Sequence, residues 1–281
     1  MQIIANGISL GAVLFLMGSG LALLLGAMGV LNLAHGAVYM VGAFVTSTLA
    51  VDQGYPLVVA ILGAAVICAA LGLALERLFR FIPGRPNEQI LMSFGLIYVL
   101  ANLAQWIWGP IAKAPFRISW LEGAVQIGGV SVPANRLAIA VVGFAIALML
   151  WLVQDRTRVG AMVRAGMDDA EMTKGLGINL DRVVLAVFVL GSAVAGIAGG
   201  MGGLVLGANT NQPMEVLLMA LVVVVVGGIG SVPGTLVAAL VIGLLDAFSR
   251  DRFPEMSSVM LYLLMAGVLV LRPTGLSGRT A

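Results

Sequence analysis

Long apolar stretches dominate the chain, and short polar breaks divide them. Stretches that reach or approach the about 17–25 residues a bilayer crossing takes run over residues 3–28, 33–51, 56–76, 88–108, 136–154, 184–206, 214–229, 233–249 and 257–272. The pattern predicts an all-α integral membrane protein, a polytopic bundle of eight or nine membrane segments. The later segments are short, and the pair flanking Gly227–Pro233 reads as two half-helices. Charge collects in the connections. Residues 155–182 hold ten charged side chains, five basic and five acidic, and residues 77–87 hold Arg77, Arg80 and Arg85. Loops rich in Lys and Arg stay in the cytoplasm, and two spans separate these two loops, so the assignments agree. The 109–135 loop then lies outside, with Trp106, Trp108 and Trp120 as an interfacial belt. Counting outward puts the N-terminus outside and the tail inside. Arg250 and Arg252 then fall outside, against the rule. No tandem repeat is evident.

Composition agrees with a membrane solvent. Of 281 residues, 60% are hydrophobic and 10% charged, and the mean hydropathy is +1.08. So few charges cannot cover a soluble domain of this length, where about 25% is usual. This excludes a soluble enzyme, a nucleic-acid binder and a secreted disulfide scaffold. The net charge of +2 implies no basic patch. One cysteine, Cys68, and one histidine, His35, leave no intrachain disulfide and no multi-His metal site. The first basic residue is Arg77, so the N-terminal apolar stretch lacks the basic start of a secretory signal and reads as a retained helix.

Two glycine-punctuated segments interrupt the apolar pattern: Gly29 to Gly36, carrying Asn32 and His35, and Gly227 to Gly234, carrying Gly228, Gly230 and Ser231. Irregular backbone at membrane depth is tolerated only inside protein or beside a water-filled path, and discontinuous helices mark substrate sites in transporters. Polar side chains there are functional candidates. The structural alternative is that Asn32 caps a helix starting near Leu33 while His35 satisfies a carbonyl. Small residues recur every fourth position at Gly191, Ala195, Gly199 and Gly203, and again at Thr235, Ala239 and Gly243. Such faces let helix backbones approach closely. The valines Val222–Val226 read as core or lipid-facing filler.

The 155–182 loop is far longer than the about 2–8 residues a connection needs. Asp168 and Asp169 suit a helix start and Gly175 and Gly177 its end. The segment is therefore read as a short cytoplasmic helix presenting a docking surface. No phosphate-binding loop exists, since neither Lys113 nor Lys174 follows a glycine. Glu215 and Asp246 are the only acids in the C-terminal spans. An ion-coupled carrier usually needs an ionisable relay in its spans.

Four blocks in order resemble one family. They are Gly29-Val-Leu-Asn-Leu-Ala-His-Gly36 with Tyr39, Met40 and Gly42; Arg158 through Ala170 to Arg182; Gly227-Gly-Ile-Gly-Ser-Val-Pro-Gly234; and Arg272-Pro-Thr-Gly-Leu276. Together they resemble the LivH-like permeases of branched-chain amino acid ABC importers, over about residues 5–279. The resemblance implies a branched-chain/ribose-type ABC permease fold with broken helices, a single transmembrane domain over 1–281 and a coupling loop near 155–182. It implies a second permease of the same superfamily, two cytoplasmic P-loop ATPases that bind ATP and Mg, and a periplasmic binding protein, in a bacterial inner membrane. Asn32, His35, Gly36 and Tyr39, with Gly227, Gly228, Gly230 and Ser231, would border the translocation path. Arg164, Asp168, Asp169, Ala170 and Gly177 would fall in the ATPase-coupling segment. Ala37 and Met219 stand where the family often has an acid and a lysine. Urea, short amides or small organic acids are the alternative cargo, and a stand-alone channel the alternative class.

Overall fold

An apolar helix satisfies its own backbone hydrogen bonds, which is the condition for crossing lipid. The structure is a computed structural model and describes residues 2–29, 31–82, 85–118, 121–127, 130–272 and 275–276. Trp120 of the expected aromatic belt and Pro273, Thr274 and the tail beyond Leu276 lie outside the described residues. The chain forms α1 (Gln2–Met28), α2 (His35–Ser47) running into a π-helical turn (Thr48–Asp52), α3 (Leu57–Phe79), α4 (Pro86–Trp108), α5 (Ala134–Arg156), α6 (Arg158–Asp168), α7 (Ala170–Gly175), α8 (Leu180–Leu206), α9 (Gln212–Gly227), α10 (Val232–Arg252) and α11 (Ser257–Leu271). The 109–135 loop adds a two-stranded antiparallel hairpin, β1 (Ala124–Ile127) with β2 (Val130–Pro133). That hairpin is a departure from the all-α reading.

Among the described residues six helices are long and apolar enough to cross a membrane: α1, α3, α4, α5, α8 and α10. The expected eight or nine is not reproduced. The helices α2, α9 and α11 have 13, 16 and 15 residues, against the about 20 that a bilayer core takes. In α2 and α9 the reason is that non-helical backbone takes up part of the depth. The π-helical turn lengthens α2 at its outer end.

The helix α1 is the central post, with 83% of its apolar window buried. It packs on α10, α8, α5 and α9, while α8 packs in turn on α3, α2 and α1. The pairings repeat: α10 lies on α1 as α3 lies on α8, α9 lies beside α10 as α2 lies beside α3, and α11 touches α9 as α4 touches α2. Residues 2–108 and 180–271 thus form two halves of similar build. By loop charge, α1 runs inward and α8 outward, so the halves are inverted, a recurrent plan in transporters. The sequence shows no repeat because matching pairings need only matching faces, and many apolar residues can supply those.

The small-residue stripes are the contact faces. A side chain at Gly11 would meet the carbonyl of Ala239 at 2.9 Å, and one at Gly7 the backbone of Leu244 at 2.8 Å. The Thr235–Ala239–Gly243 stripe therefore seats α1 on α10. On α8, Gly191 faces Gly20 of α1, Gly199 faces the Tyr39 carbonyl of α2, and Gly203 faces Phe116 of the outer loop. Val222, Val223, Val224 and Val226 are buried, so four of the five valines are core.

Candidate functional site

The first break leaves the C-terminal end of α1 and re-enters the bundle. The Asn32 side-chain Oδ1 accepts from the Ala34 N–H at 3.1 Å, the His35 N–H donates to the Asn32 carbonyl at 3.3 Å, and Ser93 of α4 accepts from the Leu33 N–H at 3.1 Å. Asn32 is buried and organises the turn into α2, the structural role that the sequence left open. His35 packs against Gly20, well inside α1. The α2 start is therefore deep in the bundle, where Gly36 meets the carbonyl of Pro213 at the start of α9. Tyr39 is fully buried, its hydroxyl against Gly202 of α8. His35, Gly36 and Tyr39 thus sit together in a seam between α1, α2, α8 and α9.

The second break is a tight turn between α9 and α10. Gly228 and Gly230 have φ of 99° and 77°, the left-handed region that glycine enters freely. Ser231 caps α10, its Oγ accepting from the Gly234 N–H at 3.1 Å, while its carbonyl accepts from the Thr235 hydroxyl at 2.7 Å. Gly227 lies so close to Thr235 that a side chain would come within 2.7 Å of its backbone.

The charged loop contains two helices where the sequence reading had one. Thr157 caps α6, accepting from the Gly160 N–H at 3.2 Å. Asp168 closes that helix and does not start the next. Asp169 is the cap of α7, its Oδ1 accepting from the Met172 N–H at 2.9 Å, with Ala170 as the first helical residue. Gly177, at φ 82°, follows the Leu176 C-cap and donates its N–H to the Lys174 carbonyl at 2.9 Å.

The two groups of candidate residues meet. Arg164 of α6 donates to the backbone carbonyl of Gln154, at the end of α5, and pairs with Asp155 at 3.4 Å. The buried Gln154 side chain donates to the Gly230 carbonyl at 2.7 Å. Met167 fills the space in front of Gly26 and Gly230. The helix α6 is thereby latched to the second break and to the end of α1. Gln154 and Met167 were not among the candidates. A glutamine in the last turn of an otherwise apolar helix was the available signal. Beside the latch, a cavity of about 350 Å³ is lined by Glu76, Arg80, Arg85, Lys174 and Asp181, so both basic loops share one end of the molecule. At the other end Lys113 pairs with Asp52 at 2.6 Å. Arg250 pairs with Asp246 at 2.6 Å and Arg252 with Asp251 at 3.6 Å, so each outward arginine has an acid beside it. Among the described residues no cluster of metal-ligating side chains occurs.

These features define a class first: a multi-pass membrane protein with interrupted helices and a charged helical connector latched to one interruption. The chain belongs to the family described as "Branched-chain amino acid transport system / permease component", whose model matches residues 3–269. It is 31% identical to the high-affinity branched-chain amino acid transport system permease protein LivH of Escherichia coli (strain K12), over 99% of this chain and 96% of that one. It is equally similar to BraD of Pseudomonas aeruginosa, also described as a high-affinity branched-chain amino acid transport system permease protein, with the same coverage. It is 27% identical to a second permease protein of such a system, LivM of Salmonella typhimurium, over 93% of this chain and 67% of that one. Among solved structures, a chain of "PsaBC from Streptococcus pneumoniae in complex with Fab" has a TM-score of 0.51 at 14% identity, covering 96% of this chain and 91% of that one. That likeness is one of fold.

Proposed function

We propose that this chain is the permease subunit of an ATP-driven importer that moves branched-chain amino acids across the bacterial inner membrane. The family match over nearly the whole chain supports the cargo class. The observation that carries the mechanism is the latch: α6 is tied through Arg164, Gln154 and Met167 to the turn at Gly230. Two cytoplasmic P-loop ATPases holding ATP and Mg dock on residues 155–182, through α6 and α7. Their closure moves α6, and α6 moves the break. The chain itself contributes no hydrolysis. A second permease completes the path, in keeping with the similarity to both LivH and LivM. A periplasmic binding protein delivers the cargo to the outer face. The residues 1–281 act as one domain. The short helices α2, α9 and α11 complete the crossings with their breaks, which gives nine segments in all. Asn32, His35, Gly36, Tyr39, Gly227, Gly228 and Ser231 belong to the moving seams that border the path.

The test is gentle solubilisation of the tagged chain from its own membrane, with mass spectrometry of what accompanies it. A second permease and two P-loop ATPases are expected. Recovery of this chain alone as a stable homo-oligomer would overturn the importer and favour a channel.

A further inference from the structure

The helix α4 is the least covered of the six spans, with 17% of its apolar window buried. Its exposed surface is not uniform. Val99, Leu103 and Ile107 lie on one side. Tyr98, Asn102 and Gln105 lie on the other, at helical spacing, and all three are exposed. Counted at about 1.5 Å per residue from Pro86, these three sit about 18 to 28 Å along a helix of about 35 Å. They are therefore at membrane depth, where exposed polar side chains face protein or water and not lipid.

The polar side borders a cavity of about 300 Å³ between α4 and the start of α9, completed by Thr210 and Asn211. That is the lower end of the range for small-ligand pockets, roughly 300–1,000 Å³. Its other wall is apolar, with Ile97, Ala101 and Met214. At the entry to α9, Asn209 takes the Asn211 N–H on its side-chain oxygen at 2.9 Å and the Gln212 N–H on its carbonyl at 3.2 Å, and Pro213 has no N–H, while the Asn211 side chain makes no cap and stays available. Glu215 lies in the first turn of α9 and is exposed.

We propose that this notch is the chain's half of a wall that reads a zwitterionic amino acid with an apolar side chain, closed across the path by the second permease. The Gln105 and Asn211 side-chain amides donate to the cargo carboxylate. The Asn102 carboxamide oxygen accepts from its ammonium, since the Asn102 amide nitrogen is engaged with the Tyr98 carbonyl at 2.7 Å. Glu215 supplies a negative charge for the ammonium as the cargo passes. Ile97, Ala101 and Met214 receive the side chain. This assignment rests on the importer reading.

The test uses the whole complex in proteoliposomes, with leucine as cargo. If the unaltered complex imports no leucine, the importer reading fails, and this assignment with it. If it does, Asn102→Leu and Gln105→Leu should each raise the KM for leucine about tenfold, the size of one lost hydrogen bond to a charged group, with the complex still assembled. Asn102→Cys and Gln105→Cys should react with a charged thiol reagent that leaves Val99→Cys and Leu103→Cys untouched. These variants decide the matter even if the leucines disturb assembly. An unchanged KM, or a lack of reaction at 102 and 105, overturns the notch while the importer stands. Reaction at all four positions does the same.

Discussion

Gly199 shows what single residues contribute here. Any side chain at that position would collide with the Tyr39 carbonyl and the backbone of Ala43, both on α2. At Gly42 an added carbon would stand 2.5 Å from the Gly196 carbonyl. Lipid gives helices no hydrophobic reason to associate, so close backbone contact carries the packing. Gly199→Leu and Gly42→Leu should therefore each cost about 1–3 kcal/mol or more from overpacking. Gly95→Ala and Gly267→Ala, which meet nothing within 4 Å, should be near neutral. Thermal unfolding of the detergent-solubilised protein checks this. Equal stability of all four variants would mean that α2 does not seat on α8 as described. The stripe was legible from spacing alone, because small residues every fourth position leave a flat face. Its partners were not, since one face of α8 meets α1, α2 and a loop in succession. Asn32 was legible as unusual, but not its role: a buried carboxamide in a turn looks the same in sequence whether it organises backbone or meets cargo.

The elements were legible where apolarity decides and obscure where capping does. Each of the nine apolar segments corresponds to a helix, yet the depth used by the breaks cannot be read from hydropathy, so α2, α9 and α11 fall short of the length a full span takes. In the charged loop, two adjacent aspartates looked like one helix start. The structure divides them, Asp168 ending α6 and Asp169 capping α7. The cap at Thr157 was hidden because Gly160 and Gly166 lower the helix propensity of the segment it opens. The latch makes a specific prediction at this scale. Gln154→Leu keeps the side-chain volume but removes the donor to the Gly230 carbonyl. The complex should assemble and hydrolyse ATP, while uptake falls about tenfold, the order of leaving one buried carbonyl unpaired. Parallel ATPase and transport assays on one preparation measure the ratio. Loss of both activities together would mean that Gln154 merely holds the fold. Unchanged uptake would mean that motion reaches the break by another route.

The two halves of the molecule impose an orientation on every loop. If α1 runs inward and α8 outward, the outer end gathers the 109–133 region, residues 207–211 and the turn after α10. The structure supports that grouping locally: Lys113 pairs its backbone with Ala208, and the start of α1 lies against the end of α10. The inner end gathers the cavity lined by Arg80, Arg85 and Lys174. The grouping also explains why Arg250 and Arg252 stand outside. Two arginines there are outnumbered by the eight Lys and Arg side chains of residues 77–87 and 155–182 at the other end, and that count is what sets orientation. Single cysteines report this directly, because the native Cys68 is buried and should stay silent. In intact cells, Glu122→Cys and Glu255→Cys should react with a membrane-impermeant thiol reagent. Lys174→Cys should react only after the inner face is opened. Glu255 is the discriminating position, since it joins α10 to α11 in the second half. Were it to react only from the inside while Glu122 reacts from the outside, the second half would not be inverted relative to the first. The 228–231 turn would then lie on the face opposite α6 and α7, and the latch from Gln154 to Gly230 could not exist.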